Sequence, residues 1–260
     1  MKHINKKMQT IILYTKTDIG KERTTNEDSV ASSFINSQSF RNGISYGVLA
    51  VADGMGGHEM GEVASEIAAK KFIIDVAENI LINTADNIDI KFEEILSKAV
   101  ETANKEVWLI SKNQSNRIGT TLVGAIIANN FAYVVNIGDS RAYLKNKKSI
   151  IQITKDHSVV QEMLDGNMIT KEQALNHPRE NLLTKALGLT EEVKPDFFKQ
   201  DLKDATLLLC TDGLYRMLND KEISKTMNGN IYKSANALIS LANKHGGIDN
   251  VSVAIAKYHD

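Results

Sequence analysis

Residues 118–137 contain the sequence IGTTLVGAIIANNFAYVVNI, which decides what kind of sheet this chain forms. Two apolar runs, 118–128 and 131–137, are separated only by Asn129 and Asn130. Asparagine tolerates the positive φ angles that a two-residue hairpin turn requires. Apolar, β-branched runs on either side of such a turn are typical of neighbouring antiparallel strands. The stretch therefore predicts a hairpin within an antiparallel sheet.

Further strand-like runs and two pairs of helices flank this hairpin. The runs lie at residues 10–19, 29–36, 44–52, 141–145, 149–153, 206–211 and 251–257. Apolar residues at four-residue spacing predict one helix pair, from Ala64 to Ile80 and from Phe92 to Ile110, and a second pair is expected at 220–228 and 231–245. Strand blocks separated by helix pairs predict an α+β layered sandwich, because a doubly wound parallel sheet needs regular strand-helix alternation. The polar stretch 156–187, with short helical pieces at 158–165 and 171–175, is expected to form a surface flap.

The composition is that of an ordinary globular protein without charge bias. The 260 residues are 42% apolar and 24% charged, and the net charge is −1. We therefore expect one domain over 1–260, a monomer, with neither nucleic acid nor a membrane as partner. Cys210 is the only cysteine, which excludes an internal disulfide and predicts a buried structural thiol. Since no run approaches the ~18 to 20 apolar residues that span a bilayer, we expect a cytoplasmic protein.

Four aspartates lie beside strand-like runs, and they are the strongest indication of function. Asp53, Asp139 and Asp212 follow such runs, whereas Asp249 precedes the last one. A carboxylate at a buried strand end costs free energy unless its charge is compensated, and hard divalent cations prefer oxygen-rich sites. Because histidine and cysteine ligands at metal spacing are missing, Mg²⁺ or Mn²⁺ is indicated rather than Zn²⁺. Taken singly, each aspartate is equally compatible with a turn or a cap, such as Asp212 before a helix from Leu214.

Two further segments carry polar residues that suit a phosphate or cation site. In residues 23–28, Arg23 offers a planar fork for phosphate, and Glu27 and Asp28 offer oxygen ligands. This segment alone is better explained by a surface ion pair. In residues 138–141, Ser140 has no base partner or nucleophile elbow, so we do not expect a serine nucleophile. Arg141 is expected to pair with a nearby carboxylate.

Six short motifs follow one another in a fixed order along residues 10–257. They are Arg23-x-x-Asn26-Glu27-Asp28, Asp53-Gly54-Met55-Gly56-Gly57-His58, Gly119-Thr120-Thr121, Gly138-Asp139-Ser140-Arg141, Thr211-Asp212-Gly213-Leu214 and Asp249-Asn250. In this order and approximate spacing they resemble the metal-dependent protein phosphatases of the 2C type (the PPM family). The segment 156–187 resembles the flap of the bacterial serine/threonine phosphatases of that family.

The resemblance implies a fold, a reaction and a set of site residues. The fold is a four-layer α-β-β-α sandwich of two antiparallel sheets flanked by helices. The reaction is hydrolysis of phosphoserine and phosphothreonine in proteins by water activated by two Mn²⁺ or Mg²⁺ ions. The implied partners are phosphorylated proteins, among them a bacterial serine/threonine kinase and its substrates. The catalytic residues implied by the resemblance are Arg23, Asp53, Asp212 and Asp249.

The same resemblance assigns a role to each site residue. It implies that Asp53 bridges the two metals, that Asp212 and Asp249 hold the first, and that Arg23 binds the substrate phosphate. The second metal is assigned to the Gly54 carbonyl with Glu27 and Asp28, directly or through water, and a weaker third metal to Asp139.

The chain departs from the family pattern at two positions. Met55 stands where animal members have a histidine that is a candidate general acid, and methionine cannot donate a proton. His58 lies three residues further on. Glu27 stands where many bacterial members have glutamine. Two alternative functions stay open, a non-catalytic regulator that binds phosphoproteins and a phosphatase of small phosphoesters.

Overall fold

The computed structural model describes residues 10–37, 44–56, 60–85, 90–113, 117–147, 149–174 and 177–259. Each predicted strand run lies in a strand, with small shifts at the ends, except that the run 118–128 is divided at Thr121 into two strands. In chain order the elements are β1 (Thr10–Asp18), β2 (Asp28–Ser37), β3 (Ile44–Met55), α1 (Met60–Ala85), α2 (Phe92–Ser111), β4 (Gly119–Thr120), β5 (Leu122–Ala128), β6 (Phe131–Ile137), β7 (Arg141–Lys145), β8 (Ile150–Gln152), α3 (Val159–Asp165), α4 (Lys171–Ala174), β9 (Asp196–Asp201), β10 (Thr206–Cys210), α5 (Asp212–Tyr215), α6 (Asp220–Thr226), α7 (Ile231–Lys244) and β11 (Val251–His259).

The strands form two sheets in which neighbouring strands are antiparallel. One sheet has the order β1-β11-β10-β7-β8, and the other has the order β2-β3-β5-β6-β9, with β4 paired to β3. The predicted hairpin joins β5 to β6. Its turn residues Asn129 and Asn130 have φ angles of 48° and 60°, and Ala128 lies opposite Phe131. The antiparallel prediction from residues 118–137 is therefore confirmed.

Alternation along β3 shows how one strand contributes to two layers of the core. Val48 and Ala50 pack toward α1 and α2, whereas Leu49 and Val51 lie in the core between the sheets. Successive side chains of a strand point to opposite faces, which explains why an almost wholly apolar run is needed here. On the outer face of the other sheet, α7 packs on β10 and β11 through residues such as Leu238. The four-layer α-β-β-α sandwich is thus confirmed.

Two features differ from the sequence prediction. Strand β9, which pairs with β6 at the sheet edge, was not predicted. Its aromatic pair Phe197 and Phe198 contacts the two different core layers, but this edge strand has neither the long apolar run nor the strict alternation by which strands are recognised. The short helix α5 begins at Asp212 and its N-cap is Thr211, so the expectation that Asp212 caps a helix from Leu214 is wrong.

The flap contains the two short helices expected in it, α3 and α4. The hydroxyl of Ser158 accepts a hydrogen bond from the Gln161 amide and caps α3. Isolated bridges tie the flap to itself and to the sheet, from Ser158 to Leu183 and from Leu187 to Thr120. Within the described ranges, we find no helix with the length and apolar character needed to cross a membrane.

Candidate metal centre

Two acidic residues reach the site from neighbouring strands of the six-stranded sheet. Asp28 and Asp53 are direct partners in the register of β2 and β3. The Asp53 carbonyl accepts hydrogen bonds from the Thr121 amide and the Thr120 hydroxyl, each at 2.9 Å. Residues directly opposite each other in an antiparallel pair point to the same face. The sheet therefore delivers both carboxylates to one place.

Close backbone packing at Gly54 fixes the end of β3, which continues past Asp53 to Met55 instead of turning there. The Gly54 amide donates a hydrogen bond of 3.0 Å to the Glu27 carbonyl. A Cβ atom on Gly54 would lie 2.1 Å from the carbonyl oxygen of Gly61 and 2.6 Å from that of Glu27. These separations are far below contact distance, so only glycine fits here. The start of α1 is thereby held against the end of β3.

Asp212 and Asp249 reach the site from the five-stranded sheet. Asp212 directly follows the loop after β10, and Asp249 lies before β11, the neighbouring strand. The Asn250 side chain anchors this end, because its oxygen accepts from the Glu27 amide at 2.8 Å while its nitrogen donates to the Ile19 and Thr25 carbonyls. The segment 19–28 is therefore bound to the start of β11.

Thr211 connects the two sheets at the site. Its hydroxyl donates a hydrogen bond of 2.8 Å to the Asp28 carboxylate and accepts one of 3.0 Å from the Ser252 amide. All three residues are buried. The acidic residues of the two sheets are thus joined through one threonine.

The acidic residues surround a cleft of about 270 Å³. Its wall combines carboxylates from both sheets with two arginines and two flap residues. The lining residues are Arg23, Glu27, Asp53, Gly54, Met55, Gly56, Thr121, Asp139, Asn181, Leu183, Asp212, Arg216 and Asp249. The cleft thus brings together every predicted site residue except Asp28, which is buried behind it.

Burial and mutual repulsion raise the pKa values of the clustered carboxyl groups. Burial raises the pKa of Asp28 to about 7, and the charges of Asp212 and Asp249 add to this effect while two hydroxyl hydrogen bonds oppose it. Burial and the charge of Asp212 raise the pKa of Asp139 to about 7. Burial, with the charge of Asp28 next, raises the pKa of Asp53 well above its usual range. Without a compensating cation these carboxyl groups hold protons at pH values where they would ordinarily be ionised.

Two arginines compensate part of this negative charge. A terminal nitrogen of Arg23 lies 2.8 Å from the Asp249 carboxylate, and Nε of Arg216 lies 2.8 Å from the Asp212 carboxylate. Desolvation raises the pKa of Asp212, and the Arg216 charge opposes it. Asp53, Asp139 and Asp28 make no comparable ion pair within the described ranges.

The donor set fits Mg²⁺ or Mn²⁺ in its chemistry. Carboxylates that share a cleft, and whose pKa values are raised by burial and by mutual repulsion, are stabilised by a divalent cation. In the part of the chain that the structure describes, however, no three histidine, cysteine or acidic side chains form an assembled ligand group. Asp212 and Asp249 are held instead in ion pairs with Arg216 and Arg23, and a bound cation would replace these pairs.

Ser140 and Arg141 have structural partners, as the sequence indicated. The Ser140 hydroxyl is hydrogen-bonded to that of Thr121 at 2.6 Å, and both residues are buried. Arg141 binds the Asp156 carboxylate through Nε and a terminal nitrogen, and its guanidinium lies 3.5 Å above the Tyr215 ring. The carboxylate partner that the sequence predicted for Arg141 is therefore Asp156. Cys210 is buried, as the sequence predicted, and burial raises the pKa of its thiol.

The two departures from the family pattern have different outcomes. Met55 lines the cleft, so a side chain without a transferable proton stands there. His58 lies outside the described residues. Glu27 also lines the cleft, and its carboxylate is stabilised by a hydrogen bond from the backbone of Gly61, although burial raises its pKa overall.

Several residues of the site had no signal in the sequence. Thr211 belongs to a quoted motif, but its bond to Asp28 spans 183 positions. Asn181, Leu183 and Arg216 reach the cleft from the flap and from the residue after α5. Their spacing from the other site residues follows no local period, and only the fold brings them there.

Comparisons with known proteins agree with this geometry. The sequence profile described as protein phosphatase 2C matches residues 21–243. The serine/threonine phosphatase stp of Listeria monocytogenes serotype 4b (strain F2365) is 38% identical over 247 residues, which cover 93% of this chain and 94% of that protein.

Solved structures show the same fold. The Mycobacterium tuberculosis serine/threonine phosphatase PstP/Ppp superposes with a TM-score of 0.78 and 33% identity, covering 95% of this chain and 98% of that one. The catalytic domain of PstP in complex with two manganese ions superposes with a TM-score of 0.79 and 32% identity, covering 97% of this chain and 100% of that one. The profile match spans most of the chain and the curated relative aligns along nearly all of it; we conclude that this chain belongs to the protein phosphatase 2C family.

Proposed function

We propose that this protein removes phosphate from phosphoserine and phosphothreonine in other proteins, in a reaction that requires Mn²⁺ or Mg²⁺. The observation that carries the proposal is the cluster of carboxyl groups whose pKa values are raised by burial and by one another's charges, beside an arginine at the rim of the same cleft. The name of the Listeria monocytogenes relative, serine/threonine phosphatase, supports the same substrate class.

We assign the cations to the carboxyl groups that line the cleft and to Asp28 behind it. Asp53, near the end of β3, would bind both cations, and Asp212 and Asp249 would hold the first. The Gly54 carbonyl, Glu27 and Asp28 are proposed to serve the second, directly or through water, and Asp139 a third. When bound, such cations act as Lewis acids toward phosphoryl oxygens and lower the pKa of coordinated water.

Arg23 is proposed to bind the phosphate that is hydrolysed. Its side chain is 48% exposed at the rim of the cleft and is held in direction by Asp249. A guanidinium offers paired donors that match phosphate oxygens and stays charged throughout the reaction. It therefore orients the phosphate and stabilises the negative charge that builds up on its oxygens.

The side chains of the cleft support direct attack by water rather than by the protein. Among the described residues that line the cleft there is no cysteine, serine or histidine. Its one threonine, Thr121, is hydrogen-bonded to Ser140 and accepts from the Asp53 amide. Without an activated side-chain nucleophile, a phosphoenzyme intermediate is not expected.

The physiological partners are proposed to be a bacterial serine/threonine kinase and the proteins it phosphorylates. An open cleft between two sheet ends accommodates a phosphorylated side chain presented by a peptide segment. The flap residues Asn181 and Leu183 lie on one side of it and would contact residues flanking the phosphate.

Hydrolysis of a phosphothreonine peptide by the purified protein tests this function. The protein is first treated with a chelator, and phosphate release is measured before and after addition of Mn²⁺ or Mg²⁺. We expect release only with metal, and none from the Asp53→Asn variant. Release from p-nitrophenyl phosphate but from no phosphopeptide would favour a phosphatase of small phosphoesters. Metal-independent binding of the peptide without hydrolysis would favour a regulatory protein.

A further inference from the structure

Arg216 places a second guanidinium group at the cleft, on the side of the flap. It follows α5 directly, and its Nε lies 2.8 Å from the Asp212 carboxylate, four residues earlier. One terminal nitrogen lies 3.7 Å from the carboxylate of Glu180, which belongs to the flap. The Arg216 side chain is 22% exposed, so it is largely buried but open to the cleft that it lines.

The two arginines of the cleft form ion pairs with different carboxylates, Arg23 with Asp249 and Arg216 with Asp212, although the Arg23 charge also acts on Asp212. Arg23 interacts with Asp249, Glu27 and Asp53. Arg216 interacts with Asp212, with Asp139 and with Glu180. A substrate that presents its phosphate to Arg23 therefore meets a second, separate positive charge toward the flap.

The contacts of Arg216 with described residues engage only some of its N–H donors. A guanidinium carries five N–H groups. Among the described residues we find no hydrogen-bond partner for its two terminal nitrogens, and Glu180 at 3.7 Å lies beyond hydrogen-bond distance. Arg141 shows the contrast, because it binds Asp156 through two nitrogens and the Tyr143 hydroxyl through the third. All three nitrogens of Arg141 are therefore hydrogen-bonded, whereas among the described residues the nearest ion-pair partner of the terminal nitrogens of Arg216 is Glu180, at 3.7 Å.

We propose that Arg216 binds a second anionic group of the substrate, separate from the phosphate that is hydrolysed. The chemistry of the ligand is that of a carboxylate or phosphate oxygen pair. In a phosphopeptide it is supplied by an acidic side chain or by a second phosphorylated residue near the first. The Glu180 carboxylate repels such an anionic group and therefore weakens the preference for substrates that carry one. This inference rests on the proposed phosphatase function, because it concerns which phosphopeptides are hydrolysed.

Matched phosphothreonine peptides test the proposal. One peptide has neutral residues around the phosphothreonine, a second has glutamate at the flanking positions, and a third has a second phosphothreonine. The value of kcat/KM is measured for each with wild type and with Arg216→Gln at saturating Mn²⁺. We expect the preference of wild type for the anionic peptides over the neutral one to fall about tenfold in Arg216→Gln, the size of one lost charged hydrogen bond.

The ratio between peptides separates this role from others. Arg216 also contacts Asp212, but a change in metal binding affects all peptides by the same factor and leaves the ratio unaltered. Equal losses on all three peptides would therefore contradict the proposal. Arg23→Gln serves as the comparison, since it is expected to lower the rate for all three alike. Comparison of the glutamate peptide with the doubly phosphorylated peptide shows which of the two anions binds Arg216.

Glu180→Gln gives an independent measurement on the flap surface, where a substitution does not threaten folding. We expect it to increase the preference for the anionic peptides, because the repulsive carboxylate is gone. An unchanged ratio in both Arg216→Gln and Glu180→Gln, with all peptides hydrolysed, would overturn the inference alone. Failure of wild type to hydrolyse any of the three peptides would overturn the proposed function together with it.

Discussion

The hydroxyl of Thr211 donates a hydrogen bond of 2.8 Å to the carboxylate of Asp28, and this bond joins the two sheets at the candidate metal centre. The same hydroxyl accepts from the Ser252 amide on β11. A buried group that donates and accepts in this way holds three segments in register. The site is therefore assembled by the packing of the two sheets and belongs to neither sheet alone.

Replacement of Thr211 by valine should lower the free energy of unfolding. The Thr211→Val variant keeps the shape but leaves the Ser252 amide and the Asp28 carboxyl group without their partner, at a cost of about 1 to 3 kcal/mol. Urea denaturation with chelator present measures this. Thr206→Val, at the start of β10, the strand that Thr211 follows, is the matched control and should change the value by less than about 0.5 kcal/mol. Equal losses in the two variants would mean that the sheets are not joined through Thr211.

Removal of a charge from the carboxylate cluster should abolish turnover without unfolding the protein. We expect Asp53→Asn and Asp212→Asn to lose Mn²⁺-dependent phosphate release. Metal-free Asp53→Asn should be at least as stable as wild type because a like charge is removed, whereas Asp212→Asn also loses the ion pair with Arg216 and should gain less. Activity assays, calorimetric titration with Mn²⁺ and thermal denaturation measure the three quantities. Asp165→Asn, on the surface of α3, is the control. Near-normal rates in either cluster variant at saturating Mn²⁺ would refute the ligand assignment.

Asp139 should make the stability of the metal-free protein decrease as the pH rises from about 4 to about 7. Its pKa is about 7 in the folded protein, against an ordinary value of 3.8, so in this range the folded state keeps a proton that the unfolded state has lost. Asparagine at this position does not titrate. We therefore expect the stability of Asp139→Asn relative to wild type to increase with pH, by at most about 1.4 kcal/mol per pH unit.

Denaturation of wild type and variant at a series of pH values checks this expectation. Asp201 provides the opposite case, because a hydrogen bond from the backbone of Lys203 lowers its pKa. Its contribution is present above pH 4 and is lost as the pH falls, so the relative stability of Asp201→Asn should change with the opposite sign. A parallel pH dependence of Asp139→Asn and wild type would show that Asp139 does not hold this proton.

Gly54 should not tolerate a side chain. In Gly54→Ala the new methyl group would meet the Gly61 carbonyl at 2.1 Å, so α1 has to move away from β3. We expect a loss of stability of about 1 to 3 kcal/mol and weaker binding of Mn²⁺. Gly229→Ala is the matched control, because its nearest neighbour, on the Lys233 side chain, is 3.7 Å away. Thermal denaturation and calorimetric titration compare the two; equal behaviour would contradict the packing argument.

Arg23 should act mainly on the binding of phosphopeptide. We expect Arg23→Ala to raise KM by about 10- to 100-fold, which corresponds to the ~1.5 to 3 kcal/mol of a charged hydrogen bond. Steady-state kinetics with a phosphothreonine peptide measure the change. Lys21→Ala removes a neighbouring exposed positive charge and should leave KM close to wild type. If KM is unaffected in Arg23→Ala, the phosphate is bound elsewhere.

Much of the fold could be predicted because its signals are local. The hairpin depends on its two turn residues, Asn129 and Asn130. The strands beside Asp53 and Asp249 were recognised from the apolar runs that precede Asp53 and follow Asp249. Strand β9 was missed because an edge strand with Phe197 and Phe198 facing different layers has neither a long apolar run nor strict alternation.

The site could be predicted only where its residues sit at such local boundaries. Asp53, Asp139, Asp212 and Asp249 lie beside apolar strand-like runs, which indicated that they meet, whereas Asp28 was assigned to the site only through the resemblance to the family. The contacts of Thr211 with Asp28 and of Arg216 with Glu180 join segments that are close only in three dimensions. Likewise, Arg141 was expected to pair with a carboxylate, but the identity of Asp156 came from the fold.

The position of β11 has a consequence for the order in which a growing chain becomes competent. This strand inserts between β1 and β10 in the middle of its sheet, and Asp249 lies directly before it. During synthesis from the N-terminus, β1 waits without its partner until almost every other element has been made. A nascent chain that already carries Asp53 and Asp212 thus still lacks one wall of the cleft. We therefore expect catalytic activity to appear only after β11 has been synthesised, in a single step.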